Sequence, residues 1–180
     1  MTRTGAVILA TLVALPLLVS PVSAQVVRTD RASMRGLTDF EIVVEDLIPE
    51  AQLDGLTKDH LLEAVENRLR LAGFVLAADS TGGGGYLYVN VNMTVGSGIY
   101  IYCAELQLRQ ATRLVRAPDQ AVPEAVTWQT GVVAAVPATE LRVGITSVVL
   151  GEVDTFIRDY AEENPGTVTV PPQPDAPPPA

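Results

Sequence analysis

His60 and Cys103 are the only histidine and the only cysteine in the chain, and that scarcity decides most of the available chemistry. A structural zinc site draws four ligands from closely spaced Cys and His. With no second histidine and no CxxC or HExxH spacing, such a site is excluded. A Ser-His-Asp or Cys-His unit would need His60 as its base. His60 falls in the first turn of a helix, where side chains are usually solvated, so no catalytic role is assigned to it. Cys103 lies in a strand-like run from Ile99 to Leu106, where a cysteine is expected as a small buried hydrophobe. A lone cysteine forms no internal disulfide, so packing alone holds the domain together.

Acidic residues number 21, and two converging carboxylates can act as an acid–base pair without other help. Glu45 and Asp46 end the first strand, and Glu152, Asp154 and Asp159 lie on the last helix. All five are expected on solvated faces. No D-x-D-x-D-G calcium loop occurs. The run Gly82 to Gly85 lacks the lysine, hydroxyl and helix that a phosphate loop requires. Tyr86-Leu87-Tyr88 follows it, so the run is a loop opening a strand. Neither a cofactor nor a metal nor a catalytic residue is implied.

Tyrosine is the one chemistry-bearing residue that clusters. Four of the five, Tyr86, Tyr88, Tyr100 and Tyr102, fall in one hairpin. With Val95 opposite Ile99, all four share its polar face and Cys103 lies opposite Val91 on the apolar face. Exposed tyrosine on a strand face anchors a partner at low entropic cost. These four are therefore the candidate binding residues, with ordinary cross-strand packing as the competing explanation.

The elements that position them follow from hydrophobic period. Phe40 to Leu47 reads as a first strand. Thr57 caps a helix whose apolar stripe is Leu61, Leu62, Val65, Leu69 and Ala72, with Gly73 as its stop. Phe74 to Ala78 reads as a short strand. Tyr86 to Val95 alternates throughout, Gly96-Ser97-Gly98 turns the chain, and Ile99 to Arg109 returns. Residues 110–124 carry two prolines and read as a loose connection, and Ala125 to Val133 as another strand. A last helix runs from about Glu140 to Glu162, burying Leu141, Ile145, Val148, Val149, Phe156, Ile157 and Tyr160. Trp128 is expected in the core. The order β-α-β-β-β-β-α predicts an α+β two-layer sandwich, a mainly antiparallel sheet with two helices on one face.

Met1 to Ala24 has an early Arg3, an apolar run from Ala6 to Val19 and a Val22-Ser23-Ala24 ending, the parts of a secretory signal peptide cleaved after Ala24. The run is too short, and too interrupted by Pro16, for a spanning helix. No cysteine follows it, so a lipoprotein anchor is excluded, and no stable membrane anchor is expected. Gln25 to Thr38 reads as a flexible lead-in, 39–163 as a single domain and 164–180 as a Pro-rich disordered tail. The formal charge of −9 becomes one unit more negative once Arg3 is removed. Such a surface repels phosphate backbones and anionic headgroups, which excludes nucleic-acid binding.

The helix ending LRLAGF, the YLYVNVN strand and the closing DTFIRDY before Asn-Pro resemble small exported bacterial α+β proteins. Over 40–162 the element order is similar to the periplasmic domains of envelope-assembly proteins: the lipopolysaccharide-assembly lipoprotein and the N-terminal domains of curli-secretion and Tol-system proteins. The resemblance implies a periplasmic or secreted binding or assembly module with a protein partner. It rests on element order and transfers no functional residue. A carboxylate-dependent hydrolase or lyase using Glu45 or Asp46, and self-assembly through a sheet edge, are the alternatives.

Overall fold

A computed structural model of the protein describes residues 31–77 and 85–172. The expected export segment 1–24, glycines 82–84 and the tail beyond Pro172 lie outside the described residues. The elements are β1 (Glu41–Val44), α1 (Pro49–Leu53), α2 (Lys58–Ala72), β2 (Tyr86–Gly96), β3 (Ile99–Leu114), β4 (Ala117–Pro137) and α3 (Leu141–Glu163). The fold is α+β, with a four-stranded mixed sheet in the order β1-β2-β3-β4. β1 runs parallel to β2, and the other two pairings are antiparallel.

Local chemistry explains the helices. Thr57 accepts a hydrogen bond from the His60 amide at 3.2 Å, satisfying an orphan donor at the start of α2. Gly73 ends it with φ of 100°, a left-handed conformation that glycine adopts without steric cost. Leu61, Val65, Leu69 and Ala72 are buried, as their spacing predicts. In α3 the buried stripe includes Leu141, Ile145, Val149, Val153, Phe156, Ile157 and Tyr160. α2 packs on β1, α3 packs on β3 and β4, and the two helices pack on each other. Phe156 is the hub of the core, with ring centroids of Phe40, Phe74 and Trp128 at 5.5, 5.8 and 5.3 Å.

The β2–β3 register differs from the expected one by a single residue. Gly96 pairs with Ile99, Val95 with Tyr100 and Val91 with Ala104. The turn consists of Ser97 and Gly98 alone, both at positive φ (53° and 75°), the two-residue type I′ geometry that matches strand twist. A one-residue slip exchanges the faces of a whole strand. Tyr100 and Tyr102 therefore face the helices, and Cys103 moves to the open face.

Four further expectations are corrected. The strand over 74–78 is reduced to one bridge between Leu76 and Phe40. Residues 110–124 are not a loose connection: β3 runs to Leu114 and β4 starts at Ala117. The expected flexible lead-in contains a 3-10 turn, Arg31–Met34, with Met34 fully buried. The expected free tail is docked as far as Thr169, whose amide donates to Ala72 O at 2.8 Å, while Val168 packs on the core.

Candidate functional site

Both large helices cover the same face of the sheet, so among the described residues the other face is open. Its side chains come from alternate positions: Glu41 and Val43 of β1, Tyr86, Tyr88 and Asn90 of β2, Cys103, Glu105, Gln107 and Arg109 of β3, and Gln129, Gly131 and Val133 of β4. Polar and charged residues gather at the end nearest β1. Gly85 fixes this corner: with φ of 91°, a Cβ there would lie 2.2 Å from Arg109 O, so only glycine lets the loop pass β3 so closely.

Tyr86 lies opposite Arg109, and Tyr88 opposite Gln107. Arg109 reaches diagonally to place its guanidinium 4.0 Å from the centroid of the Tyr88 ring, a cation–π contact. Gln107 Oε1 accepts from both Arg109 Nε (3.0 Å) and Nη2 (2.8 Å). The Tyr88 hydroxyl donates to the Glu45 carboxylate. That hydrogen bond is the main reason the Tyr88 pKa is raised, with burial and the Glu45 charge adding to it. Tyr86 meets Tyr88 edge to face at 6.4 Å. The result is a stacked tyrosine–arginine unit braced on both sides.

Beside it lies a hollow of about 210 Å³, bordered by Cys103, Glu105, Gln107, Gln129, Gly131 and Val133. Gly131 helps to shape it. A Cβ at that position would stand 2.9 Å from Ala104 O and 3.1 Å from Glu105 Cγ. The Cys103 thiol is half-buried, and burial followed by the Glu105 charge pushes its pKa up. That disfavours the thiolate on which nucleophilic chemistry depends.

The four candidate tyrosines are thus divided. Tyr86 and Tyr88 stand on the open face, while Tyr100 and Tyr102 are buried among core residues. The Tyr100 hydroxyl donates to Asp54 Oδ2 at 2.6 Å. This bond, ahead of burial, holds its pKa up at about 12. Arg109 and Gln107 were not singled out by sequence. The available signal was their position opposite Tyr86 and Tyr88, legible only once the turn is counted as two residues.

The carboxylates do not form a shared centre. Glu45 and Asp46 are both exposed. Glu45 accepts from Tyr88, and Asp46 pairs with Lys58 at 3.0 Å. On α3 the expected solvated face is overturned. Asp154 holds Arg68 in a two-pronged pair at 2.6 and 2.7 Å, and Glu152 accepts from Thr130 at 2.6 Å. Asp159 is 4% exposed, accepting from Trp128 Nε1 at 3.0 Å and pairing with Arg31 Nε at 3.1 Å. These acids brace the fold. His60 Nε2 lies 3.2 Å from Thr146 Oγ1, between α2 and α3. Among the described residues, no three His, Cys, Asp or Glu side chains converge in a metal-binding arrangement. Nor is any described helix long and apolar enough to cross a membrane.

No protein-family model matches the chain, and no curated protein is significantly similar to it.

Proposed function

We propose that this chain is an exported, non-catalytic binding module of the cell envelope, which holds a protein partner on its open sheet face at Tyr86, Tyr88 and Arg109. One observation carries the reading: the guanidinium of Arg109 is fixed over Tyr88 by Gln107, while Glu45 fixes the phenol. Tyrosine and arginine are the residues most enriched where binding energy concentrates. A side chain already held in place loses little further entropy on binding. The Arg109 guanidinium suits a backbone carbonyl or carboxylate of the partner. Export is supported by the charge, length and small-x-small ending of residues 1–24.

The test begins with capture from the exported fraction on immobilised protein, followed by titration of the purified partner. Tyr88→Ala and Arg109→Ala each weaken binding by at least about tenfold. Val143→Ala, on the exposed side of α3, leaves it unchanged. A partner that binds all three variants equally, or the absence of any partner, overturns the reading. Export is tested separately by the mass of the product in cells. A chain beginning at Gln25 outside the cytoplasm is expected, and a Met1 chain retained inside refutes it.

A further inference from the structure

The end of the sheet away from β1 is without charge. Residues 91–104 and 125–139 contain no Asp, Glu, Lys or Arg, in a chain whose formal charge is −9. On the open face this end presents Ile99, Ile101 and Val133, at 48%, 56% and 72% exposure, with Ala135 also exposed. Among the described residues its outer border is β4, the last strand of the sheet. Sheet edges are normally blunted by proline, charge or a bulge. The irregularities of the β3–β4 ladder all fall between Leu108 and Leu114, at the opposite end. The N-terminal segment touches β4 at Thr127, where Ser33 Oγ donates to the carbonyl at 3.1 Å. Beyond it, the run Gly131–Val136 has regular pairing to β3, no proline and no charge.

We propose that a second copy of this chain pairs with this edge, β4 against β4 and antiparallel through Val132–Val136, centred on Ala134. A two-fold axis normal to the sheet then joins the two sheets into one, with both open faces on the same side. Val133 and Ala135 of each copy meet across the seam, and exposed apolar surface is removed from water. Charge selects the occupant. Two strongly acidic chains repel except where neither carries a carboxylate, and this end of the sheet is such a place. The free part of the β2 edge, Asn90–Gly96, is the weaker candidate, because Asn92 and Thr94 there present polar side chains to the same open face.

Sedimentation of the purified protein under reducing conditions, over a range of concentrations, tests the proposal. The expected result is a monomer–dimer equilibrium that stops at the dimer. It strengthens as salt is raised, because salt screens the mutual repulsion. Val133→Glu combined with Ala135→Glu raises the dissociation constant by at least about tenfold, with an unchanged circular dichroism spectrum. Tyr88→Ala leaves it unaltered, which separates this surface from the one proposed above. A monomer at every concentration, growth beyond the dimer, or a dimer indifferent to the double substitution overturns the proposal.

Discussion

Asp159 is the acid whose removal costs most, because two donors point at it from distant parts of the chain. Trp128 Nε1 and Arg31 Nε both lie within 3.1 Å of its carboxylate. Asp159→Ala strands a buried indole N–H and leaves the Arg31 guanidinium with Glu162 alone, which costs about 2–3 kcal/mol. Asp159→Asn keeps an acceptor for the indole and costs about 1 kcal/mol. Urea unfolding followed by the fluorescence of Trp128, the single tryptophan, measures both, and equal stability of the two variants would refute the assignment. Tyr100 sets the alkaline limit of stability. Its pKa is about 12 in the folded protein against an ordinary 10.0. Unfolding in that interval therefore releases a proton, and stability is full below pH 10 and falls as pH rises toward 12. Tyr100→Phe flattens this fall without abolishing it, since the pKa values of Tyr88 and Tyr102 are raised in the same sense. An unfolding midpoint that stays constant from pH 9 to 11.5 in the parent would contradict it.

Element by element, glycine placement separates what sequence reveals from what packing decides. Gly144 and Gly151 both lie in α3, and by propensity each weakens the helix by about 1 kcal/mol relative to alanine. A Cβ at Gly151 meets nothing within 4 Å, whereas at Gly144 it would stand 2.8 Å from Val136 Cγ2. Gly151→Ala is therefore expected to stabilise by about 0.5–1 kcal/mol. Gly144→Ala is expected to destabilise by about 1 kcal/mol, and Val136→Ala in the same chain to recover part of the loss relative to Val136→Ala alone. Thermal unfolding of the four variants checks the signs. The hairpin teaches the same lesson. Alternation alone locates β2 and β3, and the buried stripes of α2 and α3 are legible at helical spacing. The register is not, because Gly96-Ser97-Gly98 accommodates a two- or a three-residue turn. Only Ser97 at φ of 53° decides it. The faces of Tyr100, Tyr102 and Cys103 depended on that one residue, and the tyrosine–arginine site with them. Ser97→Asn supplies the Asn-Gly pair that type I′ turns prefer, and a gain of about 0.5 kcal/mol in the same melt is expected.

At the scale of the whole molecule, the two ends of the described chain are clasped to each other, and this was the least legible part of the fold. Arg31 to Leu37 has no helical or strand period, so its polar sequence reads as a free lead-in. Its long-range bonds run to residues 94 to 131 positions away, a separation that no local pattern reports. The Tyr160 hydroxyl donates to Leu37 O at 2.7 Å. Asn164 accepts from the Gly36 amide at 2.8 Å and donates to Met34 O at 3.0 Å. Arg35 pairs with Glu163 at 2.6 Å, and Arg31 joins Asp159 and Glu162. Beneath these bonds Met34 and Leu37 are buried against the core, each contributing about 1.5–3 kcal/mol. The exposed ion pairs add little, so the apolar anchors and the bonds around Asn164 carry the clasp. A chain that begins at Asp39 should therefore lose about 4–6 kcal/mol, a large share of what a domain of this size possesses. In urea its transition should move to much lower denaturant while keeping a single step. Met34→Ala in the full chain should reproduce about 2–4 kcal/mol of that loss. If the shortened chain unfolds at the same midpoint as the parent, the segment is a passenger and the lead-in is free after all.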